Sequence, residues 1–385
     1  MDIFEKKYFI TLLTIICGFI SANMYYVQPL IPVIQQDLRV TYEEASMLYS
    51  LSLTGNALSL IFVIPLGDFV SKKKLIESLL LVAVISLGVF YYSQNIAFLN
   101  IMAIAIGVGS STIPLIIASL SSFGKKGINS IGVIMAGVML GILLSRFISS
   151  IISALWGWKI IYLLSTIIML LSYLFIHIYY PESTIVNKKQ QYQYIIRYNL
   201  KGFISNKNIR YYSLSGFFIM SIFSSYWTNV SSYLANTLSY DQISIGIFSL
   251  TGVAGALAAM TSNTLLNKIG NNNHIILWFM TLTLVILLIL PDTIPIIILG
   301  ALLIDAEIQL AHINNQKMLF SSSPGSESRA ASCYMTAFVI GGAIGGFVSS
   351  RLYYYFNWTG VLAFCLFSSL ICTIITTRKK LYGKH

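Results

Sequence analysis

GALLIDAEIQLAHINNQ, residues 300–316, sits inside an apolar run that begins at Ile294, yet it carries Asp305, Glu307, Gln309, His312, Asn314, Asn315 and Gln316. On a helix turning about 100° per residue, Asp305, Gln309, His312 and Gln316 follow the i, i+4, i+7, i+11 rule and share one narrow stripe. If the helix lies in a bilayer, each ionisable group costs roughly 2.5–3.5 kcal/mol on insertion scales. A chain keeps such a cost where the stripe faces a polar path or another helix. The expectation is a helix that lines a route for a solute and for protons.

The rest of the chain supplies the bilayer. Of its 385 residues 56% are hydrophobic and only 10% charged, with a mean hydropathy of +0.78, against about 25% charged residues in soluble globular chains. An integral membrane protein is expected. The net charge of +11 would suggest a nucleic-acid partner in a soluble chain; here its distribution along the chain matters more. Cys17, Cys333, Cys365 and Cys372 all fall in apolar runs with no C-x-x-C pair, so neither a disulfide framework nor a zinc site is indicated. Lys6 and Lys7 precede an apolar stretch at 8–34 that is too long for the core of a signal peptide and reads as a first span.

Twelve apolar segments are each long enough to cross roughly 30 Å of hydrocarbon: near 8–34, 42–66, 74–93, 96–121, 128–154, 158–180, 209–236, 243–266, 274–290, 294–319, 330–354 and 358–377. Most connections are short. The polar, basic stretch 181–208 divides the chain into a first bundle at 1–180 and a second at 209–385, and is expected to be a cytoplasmic linker. With both termini inside, 20 of the 24 Lys and Arg residues fall on cytoplasmic segments, leaving Arg39, Arg146, Lys159 and Arg351 elsewhere. The positive-inside rule then gives both termini in the cytoplasm; a multi-pass protein of a bacterial inner or plasma membrane is expected.

The halves repeat at an offset close to 200 residues: Gly157-Trp158 with Asn357-Trp358, Gly141 with Gly341, Gly55 with Gly255. Several matches at one spacing, on top of six-plus-six spans, indicate duplication. The fold class is all-α integral membrane, twelve transmembrane helices in two pseudo-symmetric six-helix bundles.

At ANMYYVQPLIP (22–32), IPLGDFVSKKKLI (64–76), IPLIIAS (113–119), GVMLGILLSRFISSIISALWGWK (137–159), and AHINNQ (311–316) with SRA (328–330) following, the chain resembles the major facilitator superfamily, in its 12-span drug:proton-antiporter-like branch. The resemblance covers nearly the whole chain. It implies export or import of a small organic solute, usually coupled to protons. The family's signature between spans 2 and 3 is roughly G-x-x-x-D-R-x-G-R-R. This chain keeps Asp68, Lys72 and Lys73 but has Ile64, Phe69 and Ser71 at the first Gly, the first Arg and the second Gly. Where span 4 of the family often carries an Arg four residues before a Gly, Ala103 precedes Gly107.

Asp305 and His312 are the candidates for a proton relay. Seven residues place them about 10 Å apart along the axis, a gap for Gln309 or water to bridge, with Gln316 continuing the stripe. A structural hydrogen-bond network between helices is the alternative. Glu307 and Asn314 lie roughly 180° from that stripe and read as contacts to span 11 or another neighbouring helix. Arg146, in span 5, needs an anion if buried: a carboxylate such as Asp305, or an acidic solute; snorkelling to the outer face is the alternative. Asn23, Tyr26 and Gln28 precede or adjoin Pro29 and Pro32, which bend span 1 and free carbonyls. With Tyr226 and Asn229 in span 7 they form an aromatic-plus-amide set suited to an organic solute, or else an interfacial aromatic belt. Asp68 with Lys72 and Lys73 reads as a cytoplasmic charge latch that engages in one state and releases in another. Gly137, Gly141, Gly341, Gly342, Gly345 and Gly346 have the small-x-x-x-small spacing of close helix packing.

The function expected is proton-coupled secondary transport by alternating access, as an antiporter, with efflux favoured over uptake. The partners are a small-molecule solute, lipid and a coupling proton or other ion; no nucleic acid, no metal and no cofactor are expected, and the chain is expected to act as a monomer. A channel or receptor without coupled transport is one alternative. A membrane enzyme is the other, but His177, His274, His312 and His385 are too dispersed for metal spacing and no phosphate-binding G-x-x-x-x-G-K-[ST] loop occurs.

Overall fold

A computed structural model describes residues 7–121, 124–182, 192, 203–270, 272–290, 293–323 and 327–382. The linker expected at 181–208 lies for the most part outside them. The described residues hold helices and no strand. The first half contains α1 (Lys7–Ala22), α2 (Ile31–Leu38), α3 (Tyr42–Phe62), α4 (Lys72–Tyr92), α5 (Ile96–Ser110), α6 (Thr112–Ser121), α7 (Gly124–Trp156) and α8 (Lys159–Tyr179). The second contains α9 (Lys207–Asn236), α10 (Gln242–Ser249), α11 (Val253–Lys268), α12 (Asn273–Ile289), α13 (Ile294–Ser321) and α14 (Glu327–Tyr382).

These helices fall at all twelve positions expected for spans, because three spans are built in two pieces and one helix covers two spans. Span 1 breaks between α1 and α2, where residues 23–27 form turns and Pro29 and Pro32 each take a first-turn position that needs no backbone donor. Span 4 breaks at Ser111, three residues before Pro114. Span 8 breaks at a 3₁₀ turn between α10 and α11. Spans 11 and 12 run together in α14, whose one non-helical residue is Asn357 (φ 51°, ψ −151°). Its counterpart Gly157 has φ 88°. Both turns open a final span at a positive φ, which glycine reaches without steric cost and which strains the asparagine at ψ −151°. Among the described residues eight helical stretches are long and apolar enough to cross a membrane, with Tyr8–Ala22 and Asn273–Ile289 as shorter apolar helices.

The chain forms two compact units: residues 1–196 with 241–246, and residues 197–240 with 247–385. Close helix pairs recur in each. In the first, a Cβ on Gly141 would stand 2.1 Å from the Gly18 carbonyl oxygen, and Ser21 donates to the Val138 carbonyl at 3.1 Å. In the second, a Cβ on Gly341 would stand 2.1 Å from the Phe217 carbonyl oxygen, and Ser221 donates to the Gly341 carbonyl at 2.7 Å. Only glycine lets backbones approach this far, so the glycine spacing read in the sequence sets the α1–α7 and α9–α14 distances.

Candidate functional site

The stripe on α13 divides into two sets. Asp305 is buried, 7% exposed, and its Oδ1 accepts a hydrogen bond of 3.0 Å from the Trp227 indole on α9. On its other side lies Gly255 of α11, where a Cβ would come within 2.2 Å of Asp305 Oδ2. A buried carboxyl survives only when polar partners replace water, and the glycine makes the room for it. About two turns on, His312 Nδ1 and the Tyr334 hydroxyl of α14 are 2.9 Å apart, and Gln316 Nε2 lies 3.2 Å from His312 Nε2. The Phe338 ring covers the imidazole at 4.2 Å between centroids. Gln309 is half-buried and makes no side-chain hydrogen bond to the described residues. It therefore does not bridge Asp305 to His312. Tyr334 and Gln316 are the partners of the imidazole, and the first of them comes from a different span.

The opposite face of α13 is hydrogen-bonded to neighbouring helices. Glu307 Oε1 accepts from the Thr283 hydroxyl of α12 at 3.0 Å. Asn314 donates to Asn273 Oδ1 at 2.7 Å; Asn273 donates in turn to Asn315, and Asn315 to the Ser215 hydroxyl of α9 at 2.9 Å. The neighbour that Glu307 and Asn314 meet is thus span 9 rather than span 11. This amide chain ties three helices together with side chains whose burial would be costly without partners.

In the first unit the broken part of span 1 meets α7. Arg146 is 2% exposed; its Nε donates to Gln28 Oε1 at 2.8 Å and its guanidinium lies 5.6 Å from the centre of the Tyr25 ring. A side chain snorkelling to the outer face would be exposed at its tip, so that alternative fails. Asn23 Oδ1 accepts from the Ser165 hydroxyl of α8 at 2.5 Å, and Tyr26 is buried beside them at 3% exposure. Gln242, at the start of α10, belongs to this unit and donates to the Pro29 carbonyl at 2.8 Å and the Ser150 hydroxyl at 3.1 Å. The carbonyl freed next to the broken helix is thereby used.

Tyr226 and Asn229 are placed differently from what a solute-facing role asks. Asn229 is fully buried and donates to the Ser225 carbonyl at 2.7 Å and the Ser349 hydroxyl at 2.9 Å. Tyr226 packs edge-on to Trp358 at 5.3 Å and donates to the Ile297 carbonyl at 3.4 Å. Both brace α9 against its neighbours. At the turn expected to be a cytoplasmic latch, Asp68 is exposed and Lys72 and Lys73 are half-buried. Tyr192, which the sequence did not single out, donates to the Phe62 carbonyl at 2.5 Å and meets the Phe69 ring edge-on at 6.1 Å.

A sequence profile described as Major Facilitator Superfamily matches residues 13–304 and 212–381. The chain belongs to the major facilitator superfamily. It is 30% identical over 378 residues to YgaY, an uncharacterised transporter of Escherichia coli O157:H7, covering 95% of this chain and 93% of the relative. It is 22% identical over 361 residues to the inner membrane transport protein YnfM of Escherichia coli K12, covering 93% and 87%. Among solved structures, the nucleoside transporter NupG superposes with a TM-score of 0.77 at 14% identity, over 96% of this chain and 99% of that one. A bacterial homologue of the lysosomal transporter Spinster, inward-facing and unoccupied, superposes with a TM-score of 0.75 at 10% identity, over 96% and 94%. A superfamily member is a membrane transporter of small solutes and not an enzyme, and the all-helical fold is consistent with the two-bundle arrangement expected from the sequence.

Proposed function

We propose that the chain is a proton-coupled antiporter that exports a small organic solute, working by alternating access as a monomer in a bacterial inner membrane with both termini in the cytoplasm. The observation that carries this reading is the carboxyl group of Asp305, buried within a membrane helix, met by an indole donor and given space by a glycine. A stability-driven design would place an apolar residue there, since an ionisable group at that depth costs roughly 2.5–3.5 kcal/mol. A group that takes up and gives back a proton repays that cost in coupling. His312, with Tyr334 and Gln316, forms a second polar station on the same stripe, and Gln309 between the two is uncommitted. Arg146, Gln28, Asn23 and Tyr26 supply the solute-facing groups of the first half, with Tyr226 and Asn229 bracing the corresponding part of the second. Asp68, Lys72 and Lys73 act at the cytoplasmic end as the latch.

The test is flux in proteoliposomes with and without an imposed pH gradient, for wild type and Asp305→Asn. The substitution keeps shape and hydrogen-bonding capacity while removing the titratable group. Gradient-driven flux is expected to fall at least tenfold, with equilibrative exchange of the solute retained. Full gradient dependence in Asp305→Asn would remove Asp305 from the coupling.

A further inference from the structure

We infer that the solute is an organic anion and that its anionic group is received by Arg146 together with the amide of Gln28; this rests on the transporter reading above and adds the class of cargo. A guanidinium has five N–H donors and no acceptor, and Arg146 places one inside the first unit with 2% exposure. Two of the surfaces next to it are an amide oxygen and an aromatic face. Gln28 Oε1 takes the Nε proton at 2.8 Å, and the Tyr25 ring lies 5.6 Å away, itself 6.0 Å from the Tyr49 ring. Contact at Nε and on the π-face fixes the plane of the fork, which is how an arginine is prepared for two-point recognition of a carboxylate or phosphate.

The second observation comes from Gln28, which is fully buried. Its oxygen is committed to Arg146, and its amide nitrogen has no acceptor among the described residues. That nitrogen is bonded to the same carbon as the committed oxygen, so it lies beside the guanidinium. A buried amide donor left without an acceptor is rare and calls for an explanation. An anion bound on Arg146 accepts from both groups and supplies what the amide lacks. The position also fits a carried ligand. Gln28 opens the 3₁₀ turn where span 1 is broken, and transporters of this architecture bind cargo at such interruptions, where backbone and side chains are not tied into a regular helix. Tyr25 and Tyr49 offer an apolar body-contact next to the charge, which favours an organic anion over an inorganic one.

The test uses the full-length protein purified in detergent, with thermal unfolding followed by intrinsic fluorescence. The probes are sodium acetate, benzoate, citrate and phenyl phosphate, with acetamide and benzamide as matched neutral partners, sodium sulfate as the inorganic control and tetraethylammonium as the cation. At least one organic anion is expected to raise the unfolding midpoint while the neutral partners and sulfate do not. Carboxylates against phenyl phosphate then tell which anionic group is preferred. In Arg146→Gln the anion shift disappears. In Arg146→Lys the affinity falls roughly tenfold, as expected when two-point recognition is reduced to one.

Gln28→Glu is the decisive variant and guards against misfolding of the first two. It places a built-in carboxylate at the 2.8 Å position, so the midpoint without ligand is expected to rise and the anion-induced shift to vanish. An anion shift that survives Arg146→Gln or Gln28→Glu overturns the inference. So does a panel in which no organic anion shifts wild type, or in which sulfate or the amides do as well. If tetraethylammonium shifts wild type and Arg146→Gln alike and moves down a pH gradient in proteoliposomes, the transporter reading stands and the anion assignment falls.

Discussion

Gly255→Ala is the sharpest perturbation of the Asp305 site, because it adds a single carbon and changes no charge. The new Cβ would lie 2.2 Å from Asp305 Oδ2, 3.1 Å from its Cγ and 3.2 Å from its carbonyl oxygen. An ordinary C···O contact is about 3.3 Å or longer, so the overlap is about 1 Å. Rotating the carboxyl away is opposed at Oδ1, which the Trp227 indole holds at 3.0 Å. A displacement of 1 Å stretches that bond to about 4 Å, beyond hydrogen-bond range. Losing it at a buried group costs about 1–3 kcal/mol. If α11 and α13 move apart instead, the bond survives but overpacking costs about 1–3 kcal/mol. Either way the thermal midpoint falls. The proposed coupling site is displaced by about 1 Å, a scale of error that lowers rates on the order of a hundredfold. Thermal unfolding and gradient-driven flux are measured side by side, with Gly132→Ala as the control, since a Cβ there meets nothing within 4 Å. Gly255→Ala that matches wild type in both midpoint and flux would refute the placement of Asp305 against α11.

Three further outcomes follow from other parts of the fold. Asn357→Gly relieves a side chain held at φ 51° and is expected to raise stability by about 1 kcal/mol, whereas Gly157→Val, at φ 88°, lowers it by more; both are read from thermal midpoints. Thr283→Val takes the donor from Glu307 Oε1 and is expected to cost about 1–3 kcal/mol, most of it recovered in the double variant with Glu307→Leu. Asp241 is exposed, and the side chain and backbone N–H of Ser244 hold its carboxyl below the usual carboxylate range. A depressed carboxylate contributes stability that is present above its ordinary value of about 4 and is lost as pH falls through the folded value. Acid titration of the midpoint is therefore expected to flatten on the low side in Asp241→Asn, which keeps a helix-capping side chain without the charge.

The sequence carried the parts of this structure that depend on local pattern. Apolar length placed the spans, Pro29 and Pro32 marked the break in span 1, and the paired Gly157-Trp158 and Asn357-Trp358 marked the turns before the last span of each half. The spacing of Gly141 and Gly341 announced close packing that the backbone distances bear out. What periodicity does not carry is the identity of a partner on another helix. Asp305 and Trp227 are 78 positions apart, Arg146 and Gln28 are 118 apart, and His312 and Tyr334 meet from different spans. Stripe geometry offered Gln309 or water as the bridge because it considered one helix alone; the imidazole meets a phenol on a neighbouring span. The same limit explains Asn229, whose amide looked suited to a solute but was needed between α9 and α14.

The duplication shows how the polar sites relate to the scaffold. At an offset of 200 the packing residues repeat: Gly55 and Gly255, Gly141 and Gly341, Ser21 and Ser221, Ser149 and Ser349. The polar pairs do not, and they depart from the repeat as whole sets. Arg146, Gln28 and Tyr25 correspond to Gly346, Thr228 and Ser225; Asp305 and Trp227 correspond to Ala105 and Val27. In each set every large or polar member faces small or apolar counterparts in the other half. Physical necessity accounts for this. A guanidinium in place of Gly346 without an amide and a ring to receive it would be a buried charge with no partner, and a carboxyl in place of Ala105 without an indole would strand an acceptor. Neither change is tolerable singly, so a half holds the complete set or none of it. Small residues such as Gly55 and Gly255, or Gly141 and Gly341, carry no such dependence and stand in both copies. The basic set therefore belongs to one half and the acidic set to the other. That asymmetry, laid over a repeated frame, is what the proposed division of tasks requires: one bundle to receive an anion, the other to handle a proton.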